Sequence, residues 1–409
     1  MRRAFSALRH RNFRLYWSGQ VISLVGTWMQ SVSQPWLVLE LGGSPLQVGT
    51  VVALQFLPTL VVTPFAGVFA DRVDRRRLLL ITQSLAMLQA TTLFALTFTG
   101  VIQIWQIQVL AFSLGLVNAV DMPVRQSFAA VLVPRSDLTN AIALSSASFN
   151  LGRVIGPAVA GVTLALYGSA FNFGINAISY LAVLLGLFLI DPSKIATSSE
   201  TGARGAIWAS LRQGVAYATA TPLVLWSLVL LGGMSVFAMN FQTLLPVYAR
   251  QTLEVEAGGY GLLFATMGLG SLIGSLTLAS MGERRPRLRL ILGGGATFVA
   301  LEVALGLTSS TVAAYALMAA IGFSSMLMVN TINATVQHAV PDQLRGRVMA
   351  LYVTVFAGAG PIGSVLAGAL AEWRGAGTAL ILGGVIAAGF VVVAAFGYGV
   401  FRRPATVAA

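Results

Sequence analysis

Cysteine is absent from the 409 residues. That excludes disulfides, a thiolate nucleophile and a thiolate metal site. The two histidines, His10 and His338, are far apart in the chain, so no metal centre is expected. No Gly-x-x-x-x-Gly-Lys-Ser/Thr phosphate loop occurs, and no other cofactor signature is present. Charge is the largest deficit. Charged residues make up 9% of the chain, 13 acids and 25 bases, where a soluble domain carries roughly a quarter. So few charges cannot cover the surfaces of the two or three soluble domains expected at this length. What the chain has instead is 56% hydrophobic residues, 43 glycines and a mean hydropathy of +0.82. The apolar surface must face lipid.

A bilayer core takes about 20 apolar residues per helix. Twelve runs meet that length: 13–39, 48–70, 78–98, 105–125, 139–166, 171–190, 223–247, 260–281, 290–307, 312–335, 348–371 and 379–400. They are rich in Ala, Leu and Gly and lack the alternation of a lipid-facing barrel. The expected fold is an all-α membrane protein of twelve transmembrane helices.

The net charge of +12 suggests nucleic acid in a soluble protein, but the position of the bases argues against that partner. Twenty-one of the 25 bases fall in the termini and in alternate connections, including Arg9, Arg75, Arg76, Arg77, Lys194, Arg289 and Arg345. The intervening connections hold only Arg250 and Arg374. By the positive-inside rule the basic set is cytoplasmic, with both termini inside. The first apolar run has no small-residue cleavage site and is read as retained. The polar stretch 191–222 contains Thr197, Ser198, Ser199 and Glu200, then Trp208, Leu211, Val215 and Ala218 at helical spacing. It reads as a cytoplasmic linker ending in an amphipathic helix. The chain thus divides into a cytoplasmic segment 1–12, a six-helix bundle 13–190, the linker 191–222, a second six-helix bundle 223–400 and a cytoplasmic tail 401–409.

The two halves carry a weak internal repeat. Asn118-x-x-Asp121-x-x-Val124-Arg125 parallels Asn330-x-x-Asn333-x-x-Val336-Gln337. Each is followed by Val-Pro (Val133-Pro134, Val340-Pro341) and then by Gly-Pro inside the next run (Gly156-Pro157, Gly360-Pro361). Two pseudo-symmetric six-helix repeats are a transporter plan.

The connection after the second run reads Gly67-Val-Phe-Ala-Asp71-Arg72-Val-Asp74-Arg75-Arg76-Arg77. It resembles the loop motif of the major facilitator superfamily, with Asp74 where that motif has Gly. The resemblance implies a cytoplasmic gate. Asp71 would face the positive end of a helix across the interface, and Arg75 and Arg76 would pair with acids. The alternative is a basic loop that serves topology alone. The fifth run holds Gly152-Arg153-Val-Ile-Gly156-Pro157-Ala-Val-Ala-Gly161, similar to the Gly-Pro signature of superfamily exporters, with Ala160 replacing one Gly. That resemblance implies outward transport; ordinary small-residue packing is the alternative. Asp121-Met-Pro123-Val-Arg125-Gln126, with Leu8 to Trp17, narrows the resemblance to the branch of the enterobactin exporter and macrolide-efflux permeases.

Ionisable groups inside a membrane are functional candidates by default. Asp121 precedes Arg125 by four residues, so they share a helix face and can pair; Asp121 lies ~6 Å from the cytoplasmic end. Gate partner and proton carrier are both open for it. Arg153 lies ~21 Å up its span, where it could bind an anionic or hydroxyl-rich substrate or serve a buried structural pair. The resemblance puts Glu302 on a peripheral helix, where packing or snorkelling competes with proton coupling. Glu40 marks an outer end, where an extracellular gate or proton entrance competes with a plain interface acid. The resemblance also makes the first span of each triplet line the pore. Gln30, Gln34 and Trp36, then Phe237, Asn240 and Phe241, and Asn118, Asn330 and Asn333, are therefore cavity candidates. Interhelical hydrogen bonding is the alternative for each amide.

The expected function is a proton-coupled exporter of a small amphipathic molecule. It would be a monomer in the bacterial cytoplasmic membrane with lipid as its surroundings. Competing readings are an uptake permease or lysophospholipid flippase of the same fold, and a non-transporting membrane sensor. No catalytic dyad is expected.

Overall fold

The computed structural model describes residues 5–70, 73–194, 207–281 and 288–399, without the side chains at 63–70, 194 and 207–211. The expected gate residues Asp71 and Arg72 lie outside the described residues, as does the tail. Gly67 is described only as backbone of its helix. Among the described residues the fold is wholly helical. Its helices are α1 (Arg11–Glu40), α2 (Pro45–Ala70), α3 (Arg75–Phe98), α4 (Ile104–Val131), α5 (Leu138–Phe188), α6 (Ile207–Ala220), α7 (Pro222–Phe237), α8 (Phe241–Gln251), α9 (Ala257–Ser280), α10 (Leu288–Leu307), α11 (Thr311–Ala339), α12 (Asp342–Arg374) and α13 (Ala376–Gly397).

Among the described residues ten helical stretches are long and apolar enough to cross a membrane. Helix α1 is equally long but carries Arg14, Gln20, Gln30 and Gln34 among its apolar residues. The stretch Arg135–Phe188 has 54 residues; straight, it would measure ~80 Å, more than twice a hydrocarbon core. It is not straight. Gly168 takes φ 77 and ψ 176, a conformation that an L side chain rarely adopts. The chain folds back there, and Asn172 donates from Nδ2 to the Ala160 carbonyl at 3.1 Å. The halves of α5, 138–167 and 169–188, are thus separate helices joined through one glycine.

Two further features were not anticipated. The run 223–247 divides into α7 and α8, with 238–240 non-helical between them. Asn240 donates to the Val236 carbonyl at 2.7 Å, a side-chain competitor for helical hydrogen bonding. And Asp74, where the resembled motif has Gly, caps α3 by accepting from the Arg76 and Arg77 amides at 2.8 and 3.2 Å.

Helix α6 lies against α7 and α12, with Ala218 buried and the Tyr217 hydroxyl donating to the Ala339 carbonyl at 2.8 Å. Gly214 and Ala218 supply the close face of α6, and Val215 is exposed. Before α1, a 3-10 turn (Ser6–Arg9) docks on α5 through Ala7 N to Asn140 Oδ1, 2.9 Å.

Helices α1–α5 pack on one another, as do α7–α13. The seam between these groups is formed mainly by α2 with α12 and α5 with α9. Lipid offers no hydrophobic drive for helix association, so close approach of small residues must supply it. A Cβ on Gly261 would lie 2.0 Å from the Gly161 Cα, and one on Gly49 would lie 2.3 Å from the Ser364 carbonyl and 3.3 Å from Gly368. Both crossings sit toward the same end, as do Tyr260, whose hydroxyl donates to the Val32 carbonyl at 3.0 Å, and Glu372, which accepts from Ser44 Oγ at 2.6 Å. This end is the closed end.

Gly261→Val should force α5 and α9 apart. Overpacking of this kind costs about 1–3 kcal/mol, so the melting temperature in detergent should fall, whereas Gly293→Ala, at a glycine facing open space, should leave it unchanged.

Candidate functional site

At the end of the first group opposite the closed end, Asp121 of α4 is 1% exposed and fully engaged. Oδ1 accepts from Thr82 Oγ1 at 2.7 Å and Gln83 Nε2 at 2.8 Å, both on α3. Oδ2 accepts from Arg125 Nε at 2.9 Å and pairs with the same guanidinium through its Nη2. The expected Asp121–Arg125 pair is therefore present, and Asp121 faces α3 inside its own group. Arg76 donates to the Leu187 and Phe188 carbonyls at 2.8 and 2.9 Å. It caps the negative C-terminal end of α5 and, among the described residues, meets no acid. Arg75 opens α3. Nearby, His10 Nε2 meets Asp137 Oδ2 at 2.8 Å. That hydrogen bond, then one from Ser6, holds the Asp137 carboxyl below its ordinary range. This docking of the N-terminal turn is in place above the usual carboxylate range and is lost as pH falls through the depressed value.

The Gly-Pro motif has two contact directions. Gly152 and Gly156 admit Leu24 and Trp28 of α1; a Cβ on Gly156 would come within 2.4 Å of the Trp28 Cβ. Gly161 meets α9 across the seam. Pro157 lies inside the helix between them. The motif thus joins α5 both to its own group and to the other.

The cavity candidates separate into two sets. Gln30 and Gln34 are buried within the first group. Gln30 donates to Gln89 Oε1 at 3.2 Å and accepts from Asn176 Nδ2 at 2.7 Å, tying α1 to α3 and α5. Trp36 stacks on Tyr260 with centroids 5.0 Å apart and donates to Glu40 Oε1 at 2.9 Å. Asn240 is turned onto its own helix, Phe237 stacks on Phe390, and Phe241 meets Phe298 edge-on. By contrast Asn118, Arg153, Asn330 and Asn333 remain half-buried. Asn330 donates to Ser275 Oγ at 3.2 Å, and Asn333 accepts from Gln337 at 2.6 Å. Arg153 has reached across the seam, where Nη1 lies 3.9 Å from Met326 Sδ of α11. A guanidinium has five donors, and a thioether is a weak acceptor for one of them.

Glu302, for which packing or snorkelling competed with proton coupling, is wholly buried on α10, and among the described residues neither carboxyl oxygen has a hydrogen-bond partner. At the closed end a cavity of ≈ 550 Å³ lies between the groups, lined by Trp36, Glu40, Leu164, Ala165, Arg250, Glu254, Val255, Glu256 and Ala257. Glu40 is fixed there by Trp36 and by Ser169 Oγ at 2.8 Å. Sequence reasoning missed Tyr260, Gly261 and Glu372, whose partners lie far away in the chain. It also missed Thr82, Gln83, Gln89 and Asn176. Their signal was available: polar side chains in otherwise apolar spans.

Asp121→Asn should strand the Arg125 guanidinium, a loss of about 3–5 kcal/mol. The melting temperature should drop sharply, and adding Arg125→Gln should restore part of it. An unchanged melt in the single variant would show that the pair contributes nothing.

A family model described as "transmembrane secretion effector" matches residues 2–406. The multidrug efflux pump Tap of Mycolicibacterium fortuitum is 26% identical over 86% of this chain and 87% of its own length. The staphyloferrin A transporter of Staphylococcus aureus is 27% identical over 86% and 88%. The enterobactin exporter EntS of Shigella boydii is 27% identical over 88% and 85%. Among solved structures, a bacterial homologue of the human lysosomal transporter Spinster in an inward-facing, unoccupied conformation superposes with TM-score 0.75 at 14% identity over 99% of both chains. The nucleoside transporter NupG superposes with TM-score 0.71 at 13% identity over 97% of this chain and 100% of that one. These structural likenesses speak for the fold, and the family model spans nearly the whole sequence. The chain is a multi-pass membrane transporter, a member of the transmembrane secretion effector family within the major facilitator superfamily, and not an enzyme.

Proposed function

We propose that this transporter exports a small amphipathic molecule from the cytoplasm by proton-coupled alternating access. In this reading twelve crossings, α1 to α4, the two halves of α5, α7 with α8, and α9 to α13, form two six-helix bundles. The second crossing then has α9 as its repeat counterpart, and the fifth has α12. The two main seam contacts, α2 with α12 and α5 with α9, exchange under the two-fold relation, as a six-span repeat requires.

The observation that carries the proposal is the position of Arg153. It is a half-buried cation deep in α5, facing the other bundle, and among the described residues its partner is the Met326 sulfur. A cation left without an acid in a membrane interior is costly unless something else meets it. A substrate with an anionic or hydroxyl-rich group would do so, alongside Asn118, Asn330 and Asn333. The glycine crossings close one end. Described bases of the alternate connections, among them Arg76, Arg77, Arg135 and Arg345, lie at the other; the positive-inside rule then supports a closed end outside and termini in the cytoplasm of a bacterial inner membrane. The substrate would enter from the cytoplasm. The gate around Asp71, Arg72, Arg75 and Arg76, with Asp121 and Arg125 behind it, would then close as the bundles rock. Relatives described as a multidrug efflux pump and an enterobactin exporter support the outward direction.

The test is uptake of a panel of amphipathic anions, cations and neutral compounds into inside-out vesicles, with and without an acidic lumen. Anionic members should accumulate only with the gradient. Arg153→Ala should weaken their binding about 10- to 100-fold, the worth of a charge-assisted bond of about 1.5–3 kcal/mol. Accumulation in right-side-out vesicles would assign an importer, and transport of nothing on the panel would favour a sensor.

A further inference from the structure

The acids at membrane depth have unequal surroundings. Glu40 accepts from Trp36 and Ser169 at the closed end. Asp121 is held by Thr82, Gln83 and the Arg125 guanidinium. Each therefore has its anionic form already matched by donors. Glu302 is 0% exposed, and neither of its oxygens has a partner.

Its place in the fold is specific. Phe298, Glu302 and Leu305 recur at helical spacing on one buried face of α10. Helix α13 meets that face with glycines: a Cβ on Gly384 would lie 3.6 Å from Oε2, and one on Gly383 would lie 3.9 Å from Oε1. Gly383 also abuts the Phe237 carbonyl, the last residue of α7. Phe241, the first residue of α8, packs on Phe298 at 6.0 Å. Glu302 therefore sits behind the 238–240 break between α7 and α8. Two hydroxyls flanking that break, Ser235 Oγ and Thr243 Oγ1, are likewise buried without partners.

The elements packed around Glu302 offer it no counter-charge. Helices α7 and α13 contain no charged residue. On α8 the Tyr248 hydroxyl is committed to the Leu305 and Thr308 carbonyls at 2.8 and 2.7 Å, and Arg250 lines the closed-end cavity. Arg289 stands at the start of α10, and Tyr315 and His338 at opposite ends of α11. Just past α13, Tyr398 is bonded to Ser227.

We propose that Glu302 is a proton-binding site of the transport cycle, and that gain and loss of its proton set the bend between α7 and α8. The proposal rests on the proton-antiport reading above. A bare carboxylate among glycine and phenylalanine has nothing to replace its water, whereas the acid form fits the site as it stands. When the proton leaves to water, the new charge must find donors. Those left unspent at this junction are the Ser235 and Thr243 hydroxyls and the Phe241 and Gln242 N–H groups that open α8, since the Thr243 and Leu244 amides already donate to the Asn240 carbonyl; the dipole of α8 favours an anion there. Bringing them to the carboxylate requires α8 to swing on α7, so the two protonation states hold two different bends. The site lies behind the pore-facing residues, away from Arg153. Proton and substrate therefore do not compete for one group; they communicate through the broken helix.

The experiment combines infrared difference spectroscopy and vesicle transport on the reconstituted protein. The wild type should show a protonated-carboxyl C=O band that bleaches as pH rises and shifts in deuterated water. Glu302→Gln, an isosteric neutral, should abolish that band, keep downhill substrate exchange and lose the stimulation by a pH gradient. Glu302→Asp should restore both band and stimulation, even if Gln folds poorly. A band unchanged in Glu302→Gln overturns the proposal, as does full gradient stimulation in that variant, because a packing role predicts both. If the band is lost in Glu302→Gln but the wild type itself shows no gradient stimulation, the antiport reading fails while the proton site stands.

Discussion

The whole arrangement depends on backbone meeting backbone at a few glycines. Lipid removes the hydrophobic reward that drives helices together in water, so the seam needs contacts close enough for dispersion to matter. Gly161 against Gly261 and Gly49 against Gly368 provide them, and no larger side chain fits there. Both crossings lie toward one end, and the seam continues from them through Gly268 against Val154 and Gly358 against Leu60. Tyr260 reinforces the same end by spending its hydroxyl on Val32 and its ring on Trp36.

Both groups bury polar atoms without partners, at Gln20, Gln34, Gln83 and Gln89 in the first and at Ser235, Thr243, Ser271 and Glu302 in the second, but the rest of their polarity is arranged differently. In the first, amides and hydroxyls from α1, α3, α4 and α5 are linked to one another: Gln30 with Gln89 and Asn176, Asn172 with Ser33, Asp121 with Thr82 and Gln83. Such bonding fixes helix positions and gives a stiff body. In the second, Ser235, Thr243, Ser271 and Glu302 are buried with polar atoms unmatched. That group also contains the interrupted α7–α8 helix. Unmatched groups are costly, and what sets the second group apart is that two of them, Ser235 and Thr243, flank a break in a helix.

Much of this was legible in the sequence. Apolar runs and the alternation of basic connections foretold the helices, because lipid leaves the backbone no other solution than helix or closed barrel. The Asp121–Arg125 pair followed from a spacing of four, and Gly152 to Gly161 announced close packing. The break after Phe237 had no such signal. Ala238, Met239 and Asn240 contain neither Gly nor Pro, and the bend depends on Asn240 turning back to Val236 and on neighbours from α13. Gln30 and Gln34 read as cavity residues because a one-dimensional pattern does not tell an inward face from an interhelical one; Gln89 and Asn176, far off in sequence, decide that. Glu302 looked peripheral by analogy, and only the packing of α13 and α8 around it shows how completely it is enclosed.

The single-residue turn at Gly168 has a counterpart in the rest of the closed face. Its other connections span only residues 41–44, 99–103, 252–256, 308–310 and 375. A protease, an antibody or a phage receptor-binding protein approaching from that side would meet helix ends and little else. The molecule is built to be nearly illegible from that face, and any recognition there must read the rim of the ≈ 550 Å³ cavity around Arg250, Glu254 and Glu256.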